Sequence, residues 1–328
     1  MEIPNTMTPI IAFGEALVDM LSSRLGDDTG PETFTPYAGG APANAAVACA
    51  RQGLPSVFLG MIGDDRFGDF IVEALDAHGV DTQHVVRTRA ARTALAFVSR
   101  DNEGERQFDF YRPPAADLLY RREHLPSGIF AEPALVHLCS NSLTDTEIAR
   151  TTLDLASIAR RGGCVISVDA NLRPLLWPQG RVDVALVEQL LERAHLIKLS
   201  REELDQLRGE RSAEEWISAR LARGTRLIVI TDGPGPVVAY LAERRLQVSP
   251  PQVKAVDTTA AGDAFIGGLL ASLSHADVTC ETLTDWLADE AQLEAALTFA
   301  ARCGAFTAMR AGAFAALPGS SDLDDLPT

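Results

Sequence analysis

The chain has 328 residues, enough for one large α/β domain or two ordinary ones, and its 46% hydrophobic content suits a sizeable core. A formal net charge of −16 argues against nucleic acid or an anionic membrane as main partner, but leaves room for a small anion held by backbone dipoles. Five scattered cysteines without a CxxC pair, six scattered histidines and no basic n-region before the first apolar run predict a cytoplasmic protein with reduced thiols and no zinc site.

In chain order, 10–14 (IIAFG) predicts a short buried strand, and 16–21 and 32–38 alternate as half-exposed strands do. A small-residue helix over 44–53 stops at Gly53, a strand follows over 56–63, and an amphipathic helix over 66–80 closes at Gly79. Residues 93–112 predict a hairpin around the turn signal DNEG. Strands over 134–140, 164–171, 195–200 and 226–233 then alternate with helices over 145–161, 182–194, 201–208 and 213–223. A hairpin over 237–249 and closing helices over 284–303 complete the pattern, and the tail SSDLDDLPT reads as frayed. This rhythm predicts an α/β fold: a mostly parallel central sheet flanked by helices on both faces, in one domain over 1–328. The early alternating strands, in insertions at about 15–38 and 92–113, predict a small β-sheet lid. No run approaches the ~18–20 apolar residues of a membrane span.

Lysine occurs only at positions 198 and 254, and neither follows a glycine, so the chain has no GxxxxGK[ST] phosphate loop. It also lacks a GxGxxG between strand and helix, which argues against a dinucleotide oxidoreductase. Residues 255–273, AVDTTAAGDAFIGGLLASL, carry the better phosphate site. VKAV before them can form a strand, Asp257-Thr258-Thr259 offer capping oxygens, and apolar spacing at Phe265, Leu269 and Leu273 starts a helix near 261–263. The first-turn N–H groups of such a helix have no intrahelical partner, and small residues let an anion approach them. Asp263 alone reads as a first-turn carboxylate favoured by the helix dipole, worth ~0.3–1 kcal/mol. Beside an anion cradle it also reads as a proton acceptor in phosphoryl transfer to a hydroxyl. A second stretch, YAGGAPANAAVACARQG, places Gly39-Gly40 at a strand end and Asn44 near a helix start, either a tight turn with an N-cap or donors aimed at a polyhydroxylated ligand. Asp19, on a lid strand, offers a carboxylate for neighbouring hydroxyls.

Gly39-Gly40-Ala-Pro-x-Asn44 with Gly53 and Gly63 resembles the first signature of the ribokinase/pfkB family of sugar kinases, and Asp257-Thr-Thr-Ala-Ala-Gly-Asp263 resembles the second. The resemblance extends over nearly the whole chain, and implies a ribokinase-like fold, a sugar and ATP as partners, and Mg²⁺ and possible K⁺ as ions. It implies that Asp263 is the general base and that the N–H groups of Ala260, Ala261, Gly262 and Asp263 form the anion hole. Asp19, Gly39, Gly40 and Asn44 would hold the sugar. Glu203, in Ser200-Arg-Glu-Glu203, would position Mg²⁺ through water, with Ser200 where the family often has Asn. Asp257 and Thr259 match a monovalent-cation site. Lys198, Thr231, Gly233, Gly262 and Gly304 would line the nucleotide, with Pro236 standing where a second glycine is expected and Gly304 and Gly312 read as turns. FDFYRPPAADLLY, Asp169-Ala-Asn171-Leu-Arg173 and IKLSREEL are similar to the fructokinase and 2-keto-3-deoxygluconate kinase subgroups; the resemblance gives Arg112 to a substrate oxygen, of a sugar or of a keto-acid carboxylate, and Arg173 to the sugar or the phosphate chain. The implied activity is ATP-dependent phosphorylation of a free ketose, fructose to fructose 6-phosphate first, with 2-keto-3-deoxygluconate, ribose or a nucleoside as alternatives and an idle binding protein as the different class. An open lid edge also suggests a homodimer through the lid.

Overall fold

The computed structural model of the protein describes residues 7–25, 31–100, 106–112, 114–324 and 326, so the DNEG turn lies outside the described residues. The chain enters through β1 (Ile10–Phe13), crosses to the lid in β2 (Leu17–Ser22) and β3 (Phe34–Gly39), and returns in α1 (Ala41–Arg51), β4 (Ser56–Gly63), α2 (Arg66–Ala77) and β5 (Val85–Thr88). It revisits the lid in β6 (Ala94–Arg100) and β7 (Arg106–Tyr111). Then come β8 (Leu135–Cys139), α3 (Thr146–Arg161), β9 (Val165–Asp169), α4 (Val184–Leu191), β10 (Leu196–Ser200), α5 (Arg201–Arg208), α6 (Ala213–Ala222) and β11 (Leu227–Thr231). The hairpin β12 (Val237–Tyr240) and β13 (Arg245–Val248) leads to α7 (Ala261–His275), α8 (Leu283–Ala288) and α9 (Glu290–Ala308).

The main sheet runs β13-β12-β11-β10-β9-β8-β1-β4-β5, parallel throughout except for the antiparallel β11–β12–β13 edge. Its central strands are buried on both faces because their alternate residues serve two cores. Phe13, Leu138, Val168, Leu199 and Ile230 pack under α3 to α6, whereas Ile10, Leu135, Val165, Leu196 and Leu227 pack with α1, α7, α8 and α9. The order reverses between β1 and β8, and such a switch point opens a crevice beyond the carboxyl ends of the strands. The lid is a separate sheet, β3-β2-β6-β7, with a parallel β2–β6 pair at its centre.

Three local expectations change. The helix expected from residue 44 starts at Ala41, because Gly40 takes φ 105 as its cap and Pro42 fits the first turn, so Asn44 lies inside the helix and not at its cap. VKAV forms no strand; Val256 N instead donates to Ala308 O beside the end of α9. β5 was not anticipated, since VVRT is short and has no wholly buried residue.

Candidate active site

Beyond the switch point two helices begin, and neither has a side-chain cap. α7 starts after Ala260, held in the left-handed region at φ 59, and none of the capping oxygens offered by Asp257, Thr258 and Thr259 caps it. Asp257, 4% exposed, accepts N–H bonds from Thr259 (2.8 Å) and Gly312 (3.2 Å), which ties the loop before α7 to the loop after α9. Ala261 N reaches Thr258 O at 3.3 Å and Ala264 N reaches Ala260 O at 2.8 Å, so regular helix bonding begins at Ala264. The amides of Gly262 and Asp263 lie in the turn between, where a helix leaves N–H groups for a ligand.

Asp263, 7% exposed, is gripped by two amides: Asn44 Nδ2 donates to Oδ2 at 2.7 Å and Asn171 Nδ2 donates to Oδ1 at 3.2 Å. Asn44 reaches it from the first turn of α1. Asn171 reaches it from the loop after β9 by taking φ 37, a conformation asparagine tolerates better than most residues. Burial and the nearby Asp169 push the Asp263 carboxyl up to about 6, against Asn44, Lys198 and Arg173, which hold it down. It is therefore ionised at neutral pH and more basic than a solvated aspartate.

The register of β9 and β10 places Asp169 opposite Lys198 on the α7 face of the sheet. Lys198 Nζ donates to Asp169 Oδ2 at 2.8 Å, with Lys198 6% exposed and Asp169 fully buried. A Cβ added to Gly262 would stand 2.8 Å from that Nζ, so the ammonium lies directly beside the bare start of α7. A cation and free backbone amides thus share one small space, as an anion requires.

The lid brings Asp19 over the same region, between Tyr37 and Ala96 on the neighbouring strands. Burial first, then the Asp263 and Asp257 carboxylates, push its carboxyl up to about 7. Any side chain at Gly39 would collide with the Asp19 carboxylate, and a Cβ at Gly40 would stand 2.6 Å from Glu15 O. The glycine pair is thus a close-approach turn joining lid to body.

Other residues named from the sequence are placed differently. Arg112 is not free to reach a sugar: it is 1% exposed, and its guanidinium donates to Asp117 Oδ2 (2.8 Å), Thr144 Oγ1 (2.7 Å) and Asn141 O (2.8 Å). Gly304 is no turn; it lies within α9, where a Cβ would stand 3.1 Å from Ala261 O, so its bareness lets α9 press on the start of α7. Glu203 closes the α5 capping box with Ser200 and also accepts Leu172 N at 2.8 Å. Arg173 is exposed near Asp263, and Thr231 and Gly233 lie at the carboxyl end of β11, the strand beside the one that carries Lys198. Asn171, Asp169 and the buried Glu15, which accepts Asn141 Nδ2 at 3.1 Å, were not assigned site roles from sequence. The signal for the first two was the Asp-x-Asn that ends a strand.

The family model of the pfkB family carbohydrate kinases matches residues 7–319. The chain is 37% identical over 311 residues to Fructokinase-1 of Oryza sativa subsp. japonica, covering 94% of each. It is similar to the structure of Fructokinase with bound ATP from Xylella fastidiosa, at 42% identity, TM-score 0.91 and 96% of each chain. It is likewise similar to Fructokinase from Vibrio cholerae O395 in fructose, ADP and calcium ion bound form, at 33% identity and TM-score 0.86, over 97% of this chain and 98% of that one. The chain belongs to the pfkB family of carbohydrate kinases, ATP-dependent enzymes with a ribokinase-like fold.

Proposed function

We propose that the protein transfers the terminal phosphoryl group of ATP to D-fructose, forming fructose 6-phosphate. One observation carries the chemistry: a buried, amide-gripped carboxylate, Asp263, at the uncapped start of α7 and beside Lys198. The choice of sugar follows the fructokinases to which the chain is similar.

In this reading Asp19, Gly39, Gly40 and Asn44 hold the sugar with its acceptor hydroxyl towards Asp263. Asp263 takes the hydroxyl proton on a lone pair its two asparagine partners leave open. The sugar oxygen attacks the terminal phosphorus, the bond to the bridging oxygen breaks, and ADP leaves with that electron pair. The open amides of Gly262 and Asp263, with those of Ala260 and of Ala261 (already reaching Thr258 O) beside them, and the Lys198 ammonium face the charge on the moving group, where fixed donors in a dry site act most strongly. Lys198, Thr231, Gly233 and Gly262 line the nucleotide side, with Arg173 at its rim. Mg²⁺ supplies charge neutralisation on the phosphates when bound. Glu203 fits a role through water only, since each of its carboxylate oxygens already takes a backbone N–H, from Leu172 and from Ser200. Asp257 and Thr259 are the residues we place beside a monovalent cation, on the strength of the buried Asp257 carboxylate.

The proposed compartment is the cytoplasm, consistent with five free cysteines. A homodimer through the lid is supported by an aromatic row, Phe34–Phe97–Tyr111, in edge contacts at 5.1 and 5.2 Å with Tyr111 66% exposed. A monomeric mass in solution would remove it.

The test is ADP production with fructose, 2-keto-3-deoxygluconate, ribose, adenosine and fructose 6-phosphate as acceptors. Fructose is expected to lead in kcat/KM by at least roughly 10²-fold, since a site built to hydrogen-bond a substrate's hydroxyls can reject an analogue that leaves its polar groups unpaired by up to about 10⁴–10⁵. A lead for another acceptor overturns the sugar, and no turnover with any of them overturns the activity.

A further inference from the structure

Gly63 ends the first glycine pattern of the sequence, yet it belongs to none of the groups gathered around Asp263. What it does contact is the neck of the lid. A side chain at Gly63 would collide with the Asp65 carboxylate and stand 2.6 Å from Thr93 N, and one at Gly68 would collide with the Gly63 carbonyl. Gly63 clears room for the carboxylate, and Gly68 for the Gly63 carbonyl and, at 3.2 Å, the Thr93 hydroxyl. Asp65 Oδ1 accepts the N–H groups of Phe67 (3.1 Å) and Gly68 (3.0 Å) and the Thr93 hydroxyl (2.9 Å), while Oδ2 accepts Thr93 N at 3.0 Å. Thr93 Oγ1 in turn accepts Gly63 N at 3.0 Å.

A plain helix cap does less. Asp145 before α3 takes Glu147 N and Asp289 before α9 takes Gln292 N, each serving only its own helix among the described residues. Asp65 caps α2 and also holds a second segment 28 residues away. Burial pushes its carboxyl up, but the Thr93, Gly68 and Phe67 donors outweigh this and hold it below the usual carboxylate range, as a charged acceptor of several N–H bonds should be.

Thr93 is the last residue before β6. Ala94 pairs with Leu17, and Ala96 pairs with Asp19, so three residues of ladder join the latch to the lid carboxylate. The strand leaving the lid is fixed as well: Ala116 N donates to Arg92 O at 2.8 Å, and Arg112 is bound to Asp117, Thr144 and Asn141. We propose that Asp65 and Thr93 are positioning residues that clamp the neck of the lid and set where Asp19 stands over the acceptor crevice. The proposal rests on the reading of Asp19 as a sugar ligand.

Thr93→Val keeps the buried shape and removes the hydroxyl, Thr93→Ser restores it, and Asp289→Ala, which removes the cap of α9, serves as a helix-cap control outside the contacts that anchor the lid. Two readouts are taken on each: steady-state kinetics, and amide hydrogen exchange, which needs no substrate. In Thr93→Val the KM for fructose is expected to rise about five- to tenfold, the loss of one to two hydrogen bonds in positioning, with kcat and the KM for ATP within about twofold. Amides of β2 and β6 should exchange at least about tenfold faster. Thr93→Ser should behave as wild type, and Asp289→Ala should lower Tm without moving any KM. Asp65→Asn should exceed Thr93→Val in both readouts. Unchanged lid exchange, or faster exchange confined to α2, overturns the clamp. Faster lid exchange with an unchanged fructose KM overturns the link to Asp19. A loosened lid in a protein whose wild type turns over no sugar keeps the clamp and overturns the function instead.

Discussion

The body and the lid bring their carboxylates to the crevice under different constraints. In the body Asp263 is held by Asn44 and Asn171, and Asp169 by Lys198 and the Asn171 amide, so each is fixed by its own partners. In the lid Asp19 takes its place from the strands on either side, and those strands are anchored at Gly39–Gly40 and at the Asp65–Thr93 latch. The body is therefore built to set protonation and charge, which act on kcat. In the proposed reading the lid captures the sugar, which acts on KM.

That division can be broken from either side. The larger effect belongs to Gly262→Ala, which sets a methyl 2.8 Å from the Lys198 ammonium at the anion site. Steady-state kinetics should show kcat falling about 10²-fold, the low end of what losing one anion-hole donor costs, with the KM for fructose little changed. A change in fructose KM alone would contradict the assignment of α7 to the phosphoryl group. The smaller effect is that of Asp19→Asn, where the KM for fructose should rise about tenfold, one charge-assisted hydrogen bond, with kcat within about threefold. A kcat collapse there would move Asp19 into the chemistry and erase the contrast.

Much of this was legible before any coordinates. Near-continuous apolar runs such as VISVD and LIVIT belong to strands covered on both faces, and alternating ones such as LVDMLS to a sheet standing off the body. Small residues ahead of Asp263 marked the uncapped helix, since a backbone anion site needs missing side chains. The rest needed neighbours that periodicity does not supply. Arg112 looked available because a sequence does not show Asp117, Thr144 and Asn141 closing on it. Asp169 and Lys198 lie 29 residues apart and meet only through strand register, and Asn171 reaches Asp263 only in a left-handed turn. Gly304 was mistaken for a turn because a helix glycine that serves close packing carries no local mark.

The most direct measurement of the central claim is the paired activity and stability of Asp263→Asn. Both flanking asparagines keep an unpartnered buried Oδ1, so a flip of either amide can accommodate the new side chain. Because the folded carboxyl titrates at about 6 and an unfolded one near its ordinary 3.8, the native state holds the extra proton between those values. Wild type therefore loses stability as pH rises through that window, and the uncharged variant does not. At pH 7.5 the variant is expected to turn over at least about 10²-fold more slowly, from loss of the base. There it should also be more stable, by at most about 3 kcal/mol, an advantage that disappears as pH falls to about 4. Near-normal turnover, or a stability deficit at pH 7.5, would contradict Asp263 as a buried, strained base.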